Sequence, residues 1–96
     1  MPEKKIFKIV RGTGDGDNMW AKYTMAVVVT LTGVEAHRIR RYEEAGIIEP
    51  KRTEAGQRLF SDEEVFIIRE VFRLSVKGIN LEGIKAVLAL RRGEDV

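Results

Sequence analysis

A mainly α fold of about four helices carrying one small β-hairpin is what this sequence predicts, and three observations predict it. Apolar residues recur at helical spacing in successive stretches, each bounded by a capping residue or a glycine. Between the second and third stretch the pattern switches to a short basic segment, PKRTEAGQRLF from Pro50 to Phe60, punctuated by proline and glycine like two strands around a turn. Finally, 96 residues with 44% apolar content suffice for one modest core.

Taken in order, residues 1–22 read as a flexible N-terminal arm. Within it Lys5 to Val10 has the β-branched run of a short strand, and Gly12 to Asn18 is an acidic, glycine-rich linker. The folded domain is expected over 23–92, with 93–96 a tail. Thr24 to Leu31 is locally ambiguous, because Val27, Val28 and Val29 favour a strand by side-chain branching. Met25, Val28, Val29 and Thr32 nevertheless fall at helical intervals, Thr24 can cap, and Gly33 can supply the positive φ that stops a helix. The spacing therefore predicts a short helix here. A second is expected from Glu35 to about Ala45, closed by Gly46, with Val34, Ile39 and part of Tyr42 facing inward and His37, Arg38, Arg40 and Arg41 outward. Ser61-Asp62-Glu63-Glu64 is a capping box that opens a helix to about Lys77, ended by Gly78. Asn80 caps the last helix, in which Leu81, Ile84, Val87, Leu88 and Arg91 follow helical spacing. The Ser61 helix is more apolar than one buried face requires: Val65, Ile68, Val71, Phe72 and Leu74 suffice, leaving Phe66, Ile67 and Val76 to spare.

Composition narrows the function class. Without cysteine there is no disulfide framework, thiolate metal site or redox switch. No apolar run approaches the ~18 residues of a membrane span, and no signal-peptide core is present, so a cytoplasmic, nucleoid-associated protein with no membrane partner is expected. An enzyme is disfavoured. His37 is the sole histidine, no nucleophile and base pair is recognisable, and Gly12-Thr13-Gly14-Asp15-Gly16 follows no phosphate-loop spacing. No catalytic residue, cofactor or metal ligand is therefore expected. Net charge is only +2, but Arg38, Arg40, Arg41, Lys51, Arg52 and Arg58 crowd one stretch of the chain.

That crowding coincides with a pair of helices joined by a tight glycine turn, an arrangement that can place the second helix in the major groove of a duplex. His37, Arg38 and Arg41 share one flank with Arg40 at its edge; arginine reads guanine bidentately, and any of these groups can clamp phosphate. A solvated face is the competing reading, with Arg40 and Glu44 as an intrahelical pair. Tyr42 presents its hydroxyl to a phosphate or is simply core, and the sequence does not choose. Lys51, Arg52 and Arg58 suit a wing lying along the duplex backbone, or else a charged hairpin edge that deters aggregation. The expected DNA-binding set is His37, Arg38, Arg40, Arg41, Tyr42, Lys51, Arg52 and Arg58.

The run GVEAHRIRRYEEAGIIEPKRTEAGQRLFSDEEV resembles the winged-helix DNA-binding head of the MerR family. The matching positions are Ile39-Arg40-Arg41-Tyr42-Glu43, Gly46-Ile47-Ile48, Pro50-Lys51-Arg52, Arg58-Leu59-Phe60 and Ser61 to Val65. The resemblance spans roughly Tyr23 to Leu90. It implies a winged helix-turn-helix, sequence-specific binding of double-stranded DNA, regulation of transcription, and a homodimer on an inverted repeat. Leu74 to Leu90, LSVKGINLEGIKAVLAL, is similar to the heat-shock repressor branch called HspR, which implies repression of stress or chaperone genes, with a chaperone or another protein as a co-regulator to test for. Several positions depart from the family pattern. Glu35 stands where a serine or threonine often caps the recognition helix, Gln57 and Phe60 stand where an aromatic residue and a tyrosine are common, and the cysteines of metal-sensing members are missing. No coiled-coil heptads follow Arg91, so weak self-association is expected through Phe66, Ile67, Val76, Leu88, Leu90 and Ile6 to Val10. Two other classes remain open: an excisionase-like architectural DNA-binding factor and a protein-interaction module.

Overall fold

The computed structural model describes residues 21–91, and the element order is β1 (Ala21–Tyr23), α1 (Met25–Thr32), α2 (Ala36–Glu44), β2 (Lys51–Arg52), β3 (Arg58–Ser61), α3 (Asp62–Val76) and α4 (Leu81–Arg91). The expected arm strand over Lys5 to Val10, the linker over 12–18 and the tail over 93–96 lie outside the described residues.

Helical spacing prevails over branching in α1. Thr24 Oγ1 accepts from the Val27 N–H at 3.3 Å, and Gly33, at φ 74°, closes the helix by donating to the Val29 carbonyl at 2.8 Å. Of the three valines, Val28 is fully buried while Val27 stays 42% exposed, so one face of a helix is what the core takes up. Thr32 then stitches the turn: its hydroxyl donates to the Val28 carbonyl at 2.8 Å and accepts from the Val34 N–H at 3.0 Å.

The hairpin is present but belongs to a three-stranded antiparallel sheet in the order β1-β3-β2. Lys51 pairs with Leu59 and Arg52 with Arg58; on the other edge Ala21 pairs with Ser61 and Tyr23 with Phe60. β1 was not expected, and it takes in Ala21 and Lys22, which the sequence reading placed in the arm. Three residues are too few to show a period in sequence.

At α3 the capping box forms in both directions. Ser61 Oγ accepts from the Glu64 N–H and Glu64 Oε1 accepts from the Ser61 N–H, each at 3.1 Å. The second oxygen of Glu64 accepts from the Glu49 N–H at 3.1 Å, which ties the segment leading into β2 to the start of α3. Asn80 Oδ1 caps α4 through the Gly83 N–H at 2.9 Å.

The core gathers Val28, Val34, Ile39, Tyr42, Phe60, Ile68, Val71 and Ile84 from every helix and from β3. Each fully buried large apolar side chain contributes roughly 1.5–3 kcal/mol relative to exposure. Ile67, expected among the spare apolar positions, and Leu88, named with it for self-association, are in this core at 6% and 8% exposure. The helix α3 therefore buries a wider face than a single stripe, since α1 and α4 both pack on it. Phe66, Val76 and Leu90 do remain exposed.

Candidate nucleic-acid interface

The helix α2 begins at Glu35, whose backbone is extended but whose side chain makes no capping bond; its carboxylate lies 3.3 Å from His37 Nδ1 instead. A carboxylate there suits the positive end of the helix dipole while leaving the first N–H groups open. Gly46, at φ 81°, turns the chain out of the helix, a conformation that disfavours any side chain with a Cβ. Ile39 and Tyr42 are buried, so the amphipathic pattern is fixed and His37, Arg38, Arg40 and Arg41 are all exposed.

The partners of these cations differ. Among the described residues no carboxylate lies within ion-pair distance of Arg38, Arg40 or Arg41, and the Arg40–Glu44 pair does not form. Arg38 instead lays its guanidinium over the Phe72 ring of α3, 5.6 Å from the centroid. Tyr42 does not present its hydroxyl to solvent: the side chain is core and the hydroxyl, beside Ser75, closes no hydrogen bond. Burial pushes this phenol up in pKa, against the opposing positive charge of Arg38 and Arg41. The phosphate contact expected of Tyr42 is thus replaced by a packing role.

In the wing, the two expected backbone contacts are engaged internally. Arg58 Nε donates to Glu43 Oε1 at 2.7 Å and Arg52 Nη2 to Glu43 Oε2 at 3.3 Å, so one carboxylate of α2 holds both strands of the hairpin. The need for it follows from the register. Arg52 and Arg58 are cross-strand partners, and like charges directly opposite repel unless an anion lies between them. Arg58 is only 23% exposed at its side chain and Glu43 24%. Burial alone would raise the Glu43 pKa, but hydrogen bonding and charge from Arg58 and then Arg52 outweigh it and hold the carboxyl below its ordinary value. Arg52 also donates from Nη1 to the Gly56 carbonyl at 2.9 Å, bracing the turn that Thr53, Gly56 and Gln57 close. Lys51 is exposed on β2. Sequence reasoning missed Glu43 as the organiser of this region, although two arginines at facing hairpin positions were the available signal.

Away from the site, no group of three or more acidic, histidine or cysteine side chains among the described residues is arranged to hold a metal, and no described helix is long and apolar enough to cross a membrane.

The pattern of the MerR HTH family regulatory proteins matches residues 23–90. The chain belongs to the MerR family. Among relatives of this MerR-family chain, the HTH-type transcriptional regulator GlnR of Bacillus anthracis is 36% identical over 72 residues, 75% of this chain and 56% of GlnR. HspR of Streptomyces coelicolor, whose name carries the heat-shock association, is 35% identical over 69 residues, 71% of this chain and 46% of HspR. The chain thus spans about half the length of the curated relatives it matches. The crystal structure of HiNmlR, a MerR family regulator lacking the sensor domain and bound to promoter DNA, superposes with a TM-score of 0.68 at 27% identity, covering 76% of this chain and 56% of that one. The architecture of four helices with a small three-stranded sheet is accordingly the MerR-family winged helix-turn-helix head.

Proposed function

We propose that this MerR-family head binds duplex DNA sequence-specifically and regulates transcription, with α2 in the major groove and the β2–β3 wing against the backbone. The observation that carries the reading is the exposed trio Arg38, Arg40 and Arg41, which has no carboxylate partner among the described residues and therefore presents charge that an external anion can neutralise. HiNmlR, similar in fold, is bound to promoter DNA, which supports the docking. His37 and Arg38 stand nearest the bases; Arg40, Arg41 and Lys51 address phosphates. Arg52 and Arg58 set the wing's position through Glu43, with Arg52 the more exposed of the two.

In this reading the protein is a repressor of stress or chaperone genes acting as a homodimer on an inverted repeat. The first part rests on the likeness of Leu74 to Leu90 to the heat-shock branch and on the HspR match. The second rests on two-fold symmetry as the usual way a small head gains affinity from paired half-sites. Selection of bound sequences from random duplexes tests specific binding and the dimer together: two half-sites in inverted orientation are expected. Uniform recovery of all sequences would overturn specific binding, and recovery of single half-sites would overturn the dimer.

A further inference from the structure

We infer that Phe72, on α3 and outside the helix-turn-helix, is a positioning residue that holds Arg38 ready to read a base, an inference that rests on the DNA-binding reading above.

A guanidinium donates hydrogen bonds only in its own plane, while its two faces are weakly hydrated and take an aromatic ring. Arg38 Cζ lies over the Phe72 ring, 5.6 Å from its centroid and within cation–π range. Bidentate recognition of a guanine edge uses those in-plane donors, so attraction of the cation to a ring does not consume them. Without a surface to lie on, a long exposed arginine samples many rotamers, and ordering them on binding lowers affinity.

The surroundings make Phe72 the main candidate for this task. No carboxylate among the described residues lies within ion-pair distance of Arg38. Phe72 itself is only partly buried, packed at the edge of the core, and its open side borders a shallow apolar groove beside the Thr32 to Val34 turn. One turn of α2 further on, buried Tyr42 sits beside Ser75 of α3, a second point at which the two helices meet.

The test uses the whole chain and a duplex obtained by the selection described above. Phe72→Leu keeps apolar bulk and removes the ring; Phe72→Trp offers a better one. The ratio of specific to random-duplex affinity should fall about two- to fivefold in Phe72→Leu and be retained or exceed the native value in Phe72→Trp. In a double-mutant cycle, Phe72→Leu should have no further effect on that ratio once Arg38 is alanine. The Arg38 side-chain protons should show upfield ring-current shifts in the free protein that vanish in Phe72→Leu. If Phe72→Leu leaves the ratio and the shifts unchanged, or if its effect is additive with Arg38→Ala, the assignment fails. If Phe72→Leu does not fold, the Phe72→Trp ratio and the native ring-current shifts decide it. Failure of the native protein to prefer any duplex would instead overturn the DNA-binding reading, and is seen before any variant is made.

Discussion

The recognition helix and the wing carry the same residue type in two electrostatic states. On α2, Arg38, Arg40 and Arg41 are exposed without a carboxylate partner among the described residues; in the hairpin, Arg52 and Arg58 share the single carboxylate of Glu43. The charge of the first group is not met by any carboxylate of the described fold, and the second uses much of its charge to build the fold. Counting basic residues along a chain cannot separate these two uses. Which carboxylates fold back onto them can.

Removing the shared anion should produce the largest effect. Glu43→Ala leaves a mostly buried Arg58 without its partner and two arginines facing each other across β2 and β3, so unfolding free energy should drop by about 2 kcal/mol in chemical denaturation. A stability equal to the native protein would mean that the brace is not formed in solution. Arg58→Ala should cost less, about 1 kcal/mol, because Arg52 still satisfies the carboxylate. Arg41→Ala should behave oppositely, shifting stability by less than about 0.5 kcal/mol while flattening the log-affinity against log-salt slope by about 0.9. The contrast collapses if Arg58→Ala changes the salt slope as much as Arg41→Ala with no loss of stability.

Acid should sharpen the same distinction. Glu43 is held below its ordinary value by Arg58 and Arg52 against the opposing effect of burial, Asp62 chiefly by the Tyr23 hydroxyl at 2.6 Å, and Glu70 by Arg73 and Arg91. A depressed folded pKa gives stability that is present above the unfolded value and lost as pH falls through the folded one. Denaturant midpoints should therefore decline from about pH 5 down to about pH 3, and in Glu43→Ala the decline should be shallower. A midpoint that does not move over this range would refute the linkage. Asp62→Asn should have the smallest effect, within about 0.5 kcal/mol, since its side chain is 60% exposed. A thermal melt resolves whether it exceeds that.

The legible part of this molecule was the part encoded locally. Thr24, Gly33, Gly46, Ser61, Gly78 and Asn80 mark helix ends by their own chemistry, and Ile39 with Tyr42 fixes the inward face of α2 by spacing alone. What escaped depends on residues far apart in the chain. β1 exists because Tyr23 meets Phe60, Ile67 is buried because two helices pack on α3, and Glu43 finds Arg58 rather than a neighbour one turn away. The burial of the Tyr42 hydroxyl without a partner is a fact of packing for which no sequence signal exists.

Glu43 and Glu64 hold the same hairpin from two different helices. One grips the hairpin from the recognition helix, and the other holds its approach at Glu49 and its exit at Ser61 from the helix that follows. For anyone recombining heads of this kind, the transplantable cassette is consequently residues 43–64 and not the visible loop between the strands. A chimera spliced at Pro50 and Phe60 would import a foreign loop onto two acidic anchors chosen for a different one.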